Sequence, residues 1–112
     1  MKITQIKVRR LAESETKLKG VASIVIDNLI AIHDIKLLKA ENNRFLAMPS
    51  KVNKQGNFND VVHPINQQMR TILEDLLFGA FDLCNTTLVL QLKESLDKDL
   101  FSLTIQDYDI IG

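Results

Sequence analysis

Tryptophan is absent from this chain of 112 residues, and cysteine, tyrosine, proline and glycine are scarce, at one, one, two and four residues. The single cysteine, Cys84, cannot form an internal disulfide, so the hydrophobic core must stabilise the fold, and a reducing, cytoplasmic compartment is the expected location. No apolar run approaches the roughly 20 residues that a membrane-spanning helix needs. The opening residues, Met1-Lys2-Ile3-Thr4, lack the apolar stretch of a secretory signal.

Sequence motifs of enzymes and metal sites are also missing. There is no Gly-rich phosphate loop, no nucleophile elbow and no recognisable pair of carboxylates. His33 and His63 are thirty residues apart, and Cys84 follows His33 by fifty-one, which is not a metal-ligand spacing. His33 is expected to be hydrogen-bonded within a sheet, and Cys84 to be a buried thiol. We therefore predict a protein that is not an enzyme, with no catalytic residue, metal, cofactor or small-molecule substrate.

Acidic and basic residues balance over the whole chain, but they are unevenly distributed along it. Residues 1–72 contain 12 Lys and Arg against 6 Asp and Glu, whereas residues 73–112 contain 2 against 8. Such asymmetry predicts one basic and one acidic surface on a single small domain. The alternative is that the two halves fold side by side and their charges intermix. A zero net charge argues against a nucleic-acid partner, whereas a basic surface argues for one.

Four segments of the first half are rich in β-branched residues or alternate in polarity, and they predict strands at 2–11, 18–26, 29–39 and 44–48. Asp27-Asn28 and Asn42-Asn43 are turn signals between them. Strict alternation in the third strand places His33 on the same face as Ile35. Several strands are apolar on both faces, which predicts a sheet covered by a helix on one side and by something else, such as a second subunit, on the other.

The second half begins with an amphipathic helix and ends with alternating residues. Apolar residues recur at intervals of three and four from Ile65 to Phe81, with an end near Asn85. Asn66 is the candidate N-cap, and Pro64 suits the first helical position if the helix starts earlier. Residues 88–92 and 101–105 then alternate around a turn at 94–99, which predicts a β-hairpin. An isolated hairpin is marginally stable, so it must pack on the body or on a partner.

These elements predict an α+β fold. It consists of an antiparallel sheet of about four N-terminal strands, one main amphipathic helix and a C-terminal β-hairpin. Residues 1–85 form the predicted domain, and residues 86–112 form an extension packed on that domain or on a dimer partner.

Four ordered motifs resemble one known family. They are Val8-Arg9-Arg10-Leu11, His33-Asp34-Ile35-Lys36, the run Phe45-Leu46-Ala47-Met48-Pro49-Ser50-Lys51, and His63-Pro64-Ile65-Asn66, with Gly56, Phe58, Asp60 and Arg70 also matching. Over about residues 1–80 the chain is similar to the stage V sporulation protein G family. The resemblance implies a small α+β domain, usually dimeric, that binds DNA and RNA and regulates cell division, septation and, in spore formers, sporulation.

This chain departs from that family in two places. The family commonly has basic residues where this chain has Val52 and Asn59, so the loop is less positive. A short charged tail is typical of the family, whereas a patterned acidic segment follows the helix here. These departures favour a rival interpretation, a protein-interaction module in division or regulation that does not bind nucleic acid.

Candidate nucleic-acid-binding residues lie around the proline-bracketed loop and the start of the helix. Lys51, Lys54 and Arg70 can neutralise phosphate beside the free N–H groups of a helix N-terminus. Gln67 and Thr71 can hydrogen-bond base edges or the sugar–phosphate backbone. The alternative is that all five are ordinary solvated side chains.

Arg9 and the phenylalanines complete the set of candidates. Arg9 is expected to face solvent and to join the binding surface, with a structural ion pair as its alternative. Phe45 and Phe101 are expected to be core residues. Phe58 is the strongest candidate for stacking on a base, and its alternative, which we favour, is a plug that pins the loop to the sheet.

Overall fold

An antiparallel six-stranded sheet with one helix packed on one of its faces makes up the body of the protein. The computed structural model describes residues 1–12, 16–94 and 97–112. In chain order the elements are β1 (Ile3–Arg10), β2 (Leu18–Ile26), β3 (Ile30–Ala40), β4 (Asn43–Ala47), β5 (Ser50–Val52), β6 (Phe58–Asp60), α1 (Gln67–Leu83), β7 (Thr87–Leu92) and β8 (Tyr108–Ile110), with short 3-10 helices at Leu100–Ser102 and Ile105–Asp107. The strand order of the large sheet is β4-β3-β2-β1-β7-β8, and β5 pairs with β6 in a separate two-stranded sheet.

The predicted α+β class is confirmed, but the predicted number of strands is too low. The four N-terminal strands lie within two residues of their predicted bounds, and Asp27 and Asn28 form the expected turn with φ of 52° and 57°. The large sheet nevertheless contains six strands, and a further pair forms inside the predicted loop. The sequence does not predict β5 and β6, because strands of three residues are too short to show alternation.

The second strand of the predicted C-terminal hairpin is wrong. Residues 101–105 lie in and between the two 3-10 helices, and the strand that pairs with β7 is β8. Nearby carboxylates accept hydrogen bonds from backbone amides that a strand would otherwise use. Asp99 accepts from the amide of Phe101 at 3.1 Å, and Asp107 accepts from the amide of Thr104 at 2.8 Å. Within the predicted turn at 94–99, residues 95 and 96 lie outside the described part of the chain.

A β-bulge in β3 overturns the predicted alternation of that strand. Ile32 pairs with Ile24 and Ile35 pairs with Ala22, so His33 and Asp34 together lie opposite a single residue of β2. Asp34 has a φ of 62°, which accommodates the extra residue. Ile32 and Ile35 therefore both pack towards the core, and His33 does not share the face of Ile35.

Helix α1 buries its apolar face against the sheet. Asn66 is its N-cap, as predicted, and its side-chain oxygen accepts from the amide of Met69 at 2.8 Å. The buried helical residues are Ile72, Leu73, Leu76, Leu77, Phe78, Ala80 and Phe81, and they meet Ile6, Val8, Ala22, Ile24, Ile35, Leu37, Leu88 and Leu90 of the strands. Within the described ranges, no helix has both the length and the apolar character needed to cross a membrane.

Arg10 closes the C-terminal end of the helix. Its guanidinium donates hydrogen bonds to the backbone carbonyls of Phe81 at 2.6 Å and Cys84 at 2.8 Å, and it lies 3.7 Å from the centre of the Phe81 ring. The last carbonyls of a helix have no partner within the helix and carry partial negative charge, so a cation there is stabilising. Arg10 is consequently a structural residue, and the buried Cys84 beside it donates weakly to the carbonyl of Val8 at 3.5 Å.

Six described residues from β7 onwards belong to the same core: Leu88, Leu90, Leu92, Leu100, Leu103 and Tyr108. Strand β7 pairs with β1 and buries three leucines, and the hydroxyl of Tyr108 donates to the backbone carbonyl of Ile3 at 2.5 Å. Burial raises the pKa of Tyr108 because the tyrosinate form would lose its hydration. The amide of Thr104 and the ammonium group of Lys98, 3.0 Å away, hold the pKa of Asp107 below its usual range.

Candidate nucleic-acid interface

The segment between Pro49 and Val61 forms a two-stranded ribbon, which we call the arm (residues 50–60). Its strands β5 and β6 pair with each other and with no other strand in the described part of the chain. Every residue of the arm is exposed except Asn53, which is half-buried. The predicted loop is therefore an ordered hairpin that stands away from the core.

The turn of the arm is fixed by its own hydrogen bonds. The side-chain oxygen of Asn53 accepts from the amides of Gln55 and Asn57, both at 2.9 Å. The backbone amide of Gly56 donates to the carbonyl of Asn53 at 3.0 Å, and Gly56 has a φ of +82°, which glycine adopts without strain. At the base, the amide of Val61 donates to the carbonyl of Pro49 at 2.7 Å. Lys54 is thereby presented at the tip of the arm.

The two faces of the arm differ in chemistry. Lys51 lies directly opposite Asn59, and Val52 lies opposite Phe58. Because side chains alternate along a strand, Lys51 and Asn59 share one face, while Val52 and Phe58 share the other with Ser50 and Asp60. Phe58 is 75% exposed and Val52 58% exposed, so the expectation that Phe58 plugs the loop onto the sheet is wrong.

The first turns of the helix bring Gln67 and Thr71 together. The side-chain amide of Gln67 donates to the hydroxyl of Thr71 at 3.2 Å. Both residues line a shallow groove that also contains Asp75 and Phe101. Phe101 is 39% exposed, and Phe45 in β4 is 40% exposed, so neither is the core residue that was expected. The carboxylate of Asp75 makes this groove less favourable for phosphate.

The cationic candidates are not neutralised by ion pairs. In residues 1–12, 16–94 and 97–112 the ion pairs are Arg44 with Asp82 at 2.6 Å and Lys98 with Asp107 at 3.0 Å. Lys51 and Lys54 are exposed and Arg70 is half-buried in α1. These three charges remain available to an anionic partner.

Arg9 lies on a different face of the molecule. It alternates in β1 with the buried Val8, so it points away from the helix, and it is exposed as predicted. His33 lies on the same open face, where its Nδ1 is 3.0 Å from the hydroxyl of Ser23. Arg9 therefore does not share a surface with Gln67 and Thr71.

Two residues important for this geometry escaped sequence reasoning. In the sequence, Asn59 shows only as a position that lacks the family's basic residue, because its place opposite Lys51 depends on the pairing of β5 with β6. The alternation predicts a strand for Phe101, whereas Phe101 borders the groove at the helix start. The asparagine and glycine of the turn, spaced three apart, were the available signal for a hairpin.

Comparison with known proteins gives one consistent family. The family model SpoVG matches residues 1–82. A protein of Clostridioides difficile (strain 630) is 49% identical over 81 residues, which cover 72% of this chain and 87% of that relative. A protein of Bdellovibrio bacteriovorus is 42% identical over 82 residues, covering 73% of this chain and 74% of the relative.

A third relative, from Alkaliphilus metalliredigens, extends the similarity further. It is 34% identical over 93 residues, which cover 83% of this chain and 94% of that protein. All three relatives carry the name "Putative septation protein SpoVG".

Proposed function

Because the chain belongs to the SpoVG family, we propose that it is a dimeric, cytoplasmic regulator that binds DNA or RNA and acts in septation or gene control, without enzymatic activity. The relatives named for septation support the cellular role. The observation that carries nucleic-acid binding is the arm, which holds Lys51 and Lys54 away from every carboxylate that could form an ion pair with them in the described residues. Exposed, unpaired cations on a projecting element suit the phosphate backbone.

Salt dependence is the direct test of this proposal. The wild-type protein and the triple variant Lys51→Ala, Lys54→Ala, Arg70→Ala are titrated into labelled duplex and single-stranded DNA and RNA at several salt concentrations. We expect the affinity of the wild type to fall steeply as the salt concentration rises. In the triple variant the slope of log K against log salt should be smaller by roughly 2–3, because each lost phosphate contact reduces this slope by about 0.9 for duplex DNA. Fluorescence anisotropy or mobility shifts provide the measurement.

A matched control separates specific cations from total charge. The variant Lys36→Ala, Lys39→Ala, Lys93→Ala also removes three exposed lysines, from positions outside the arm and the helix start. We expect it to bind nearly as well as the wild type. Equal losses in the two triple variants, or no binding by the wild type at micromolar concentration and low salt, would contradict the proposal.

A second candidate function, protein interaction without nucleic acid, is favoured by the apolar face of the arm. Val52 and Phe58 are both more than half exposed, and a two-stranded hairpin with an uncovered apolar face is marginally stable in water. In the dimer of the first proposal, the second copy covers this face, so the two proposals assign different partners to it.

The oligomeric state tests that role of the arm. We expect Phe58→Ser to weaken the dimer in sedimentation equilibrium, and Ile110→Ser, at an apolar residue that is 67% exposed on β8, to leave it unchanged. A monomeric wild-type protein would exclude the dimer. Nucleic-acid-free protein that captures a specific protein partner through Phe58 would favour the second candidate.

A further inference from the structure

We propose that the arm is a β-ribbon that enters the major groove of double-stranded DNA and reads base edges with Lys51 and Asn59, an inference that rests on the proposed nucleic-acid binding. The major groove is about 12 Å wide and admits a two-stranded ribbon. Paired strands lie about 4.8 Å apart, so a ribbon with side chains on both edges fits that width. In the described part of the chain, the arm is a two-stranded ribbon separate from the large sheet.

The arm is ordered before any partner binds. Asn53 holds the turn through two side-chain hydrogen bonds, and the Val61–Pro49 bond closes the base. A recognition element that is already in its bound shape loses little conformational entropy on binding. This order distinguishes the arm from a flexible basic loop, whose contacts would be limited to non-specific phosphate neutralisation.

One face of the arm carries the side chains that can contact base edges. Lys51 and Asn59 are cross-strand neighbours on one face. Asparagine pairs with adenine N6 and N7, and lysine with guanine O6 and N7. The only carboxylate of the arm, Asp60, lies on the other face, where it does not meet the bases or the phosphates. Lys54 at the tip is placed to contact the backbone at the groove wall.

The start of α1 is less suited than the arm to contact base edges. The amide of Gln67 is already used by Thr71, and Asp75 lines the same groove. A base edge brought to Gln67 would bring its phosphate near the carboxylate of Asp75. We therefore propose that base contacts come from the arm and not from Gln67 and Thr71, and that Arg70 contacts only phosphate.

The experiment starts from a duplex DNA library of random sequence. Wild-type protein selects its preferred duplex, and affinities are then measured for that duplex, for a scrambled duplex and for an RNA duplex of the selected sequence. We expect Asn59→Ala to lose roughly 5- to 100-fold in affinity for the selected duplex and to bind the scrambled one as before. The matched control, Asn43→Ala, removes an exposed asparagine outside the arm and should keep both the affinity and the discrimination. Gln67→Ala tests the rival contact at the helix start and should also keep the discrimination. The RNA duplex should bind only as weakly as scrambled DNA, because its major groove is too narrow for a ribbon.

Each other outcome overturns the inference. Discrimination that survives Asn59→Ala but is lost in Gln67→Ala would move base reading to the helix. Equal affinity for the RNA duplex, or a selection that enriches no sequence, would exclude the major groove, while salt-dependent binding would still uphold the proposed function. If no nucleic acid binds at low salt, the proposed function fails and the inference fails with it.

Discussion

The guanidinium of Arg10 donates to the backbone carbonyl of Phe81 at 2.6 Å and at the same time stacks on the ring of that residue, 3.7 Å from its centre. One side chain of β1 thus satisfies the end of the helix and packs against its last buried aromatic ring. Arg9, its neighbour in sequence, faces the opposite side of the sheet. Arg10 therefore stabilises the fold, whereas Arg9 is a surface residue.

Replacement of Arg10 should cost much more stability than replacement of Arg9. We expect Arg10→Ala to lower the free energy of unfolding by roughly 2–4 kcal/mol, since it removes two charge-assisted hydrogen bonds and a cation–π contact. Arg9→Ala should change it by less than about 0.5 kcal/mol, as is usual for an exposed residue. Urea denaturation provides the measurement. Equal losses in the two variants would show that Arg10 does not cap the helix.

Tyr108 should remain un-ionised in the folded protein at a pH where free tyrosine titrates. Its pKa is raised from the ordinary value of 10.0 by burial. A raised pKa in the folded state contributes stability that is fully present below pH 10.0 and is lost as pH rises towards the folded value. Because it is the single tyrosine and tryptophan is absent, tyrosinate absorbance reports on this residue alone.

We expect no tyrosinate signal from the native protein as pH passes 10.0, and its appearance only together with the loss of circular dichroism. Protein in denaturant provides the reference, since there Tyr108 should titrate normally. Ionisation near pH 10.0 with the fold intact would contradict the buried hydrogen bond to Ile3.

Two glycines should respond to alanine substitution in opposite directions. A Cβ at Gly20 would lie 3.0 Å from the carbonyl oxygen of Arg9 and 3.0 Å from the Phe81 ring, so Gly20→Ala should cost about 1–3 kcal/mol. At Gly79 the nearest atom, in Ile105, is 3.4 Å away. Gly79→Ala should stabilise the helix by up to about 1 kcal/mol. Thermal denaturation of both variants distinguishes them, and destabilisation by Gly79→Ala would mean that Ile105 cannot adjust.

Removal of residues 86–112 should unfold the protein rather than release a binding surface. The deletion takes away β7, β8 and six residues of the core, among them Leu90 and Tyr108. We expect the fragment 1–85 to lack cooperative thermal unfolding in circular dichroism. A fragment that still unfolds cooperatively would show that the extension is dispensable.

The acidic residues of that extension are better tested in the full chain. If they compete with nucleic acid for the basic arm, Asp97→Asn and Asp109→Asn together should tighten binding in the anisotropy titration. Both are exposed, whereas Asp99 and Asp107 hold local hydrogen bonds and are left unchanged. Unchanged affinity in a folded double variant would exclude competition by these two residues.

The elements that could be predicted from sequence are those whose signals are local. The β-branched run of β2, the Asp27-Asn28 turn and the Asn66 cap all rest on neighbouring residues, and all three are confirmed. The bulge at Asp34 depends on register with β2, which a single strand does not reveal. The capping role of Arg10 depends on a partner 71 residues away.

The candidate site shows the same division. Lys51, Lys54 and the start of the helix could be chosen from motif and charge alone. The pairing of Lys51 with Asn59 could not, because strands of three residues leave no periodic pattern. Residues 101–105 show how period two can mislead, because Leu103 is buried as the C-cap of a 3-10 helix and not as part of a strand.

The position of β7 between β1 and β8 has a consequence for synthesis on the ribosome. Strands β1 to β4 can pair as consecutive hairpins as soon as they emerge, but the outer edge of β1 has no partner until residues 87–92 follow the helix. During that interval the nascent chain exposes a row of free backbone donors and acceptors, to which a neighbouring nascent chain can add a strand. We therefore expect slow translation through α1 to lengthen the time during which each new molecule is open to mispairing.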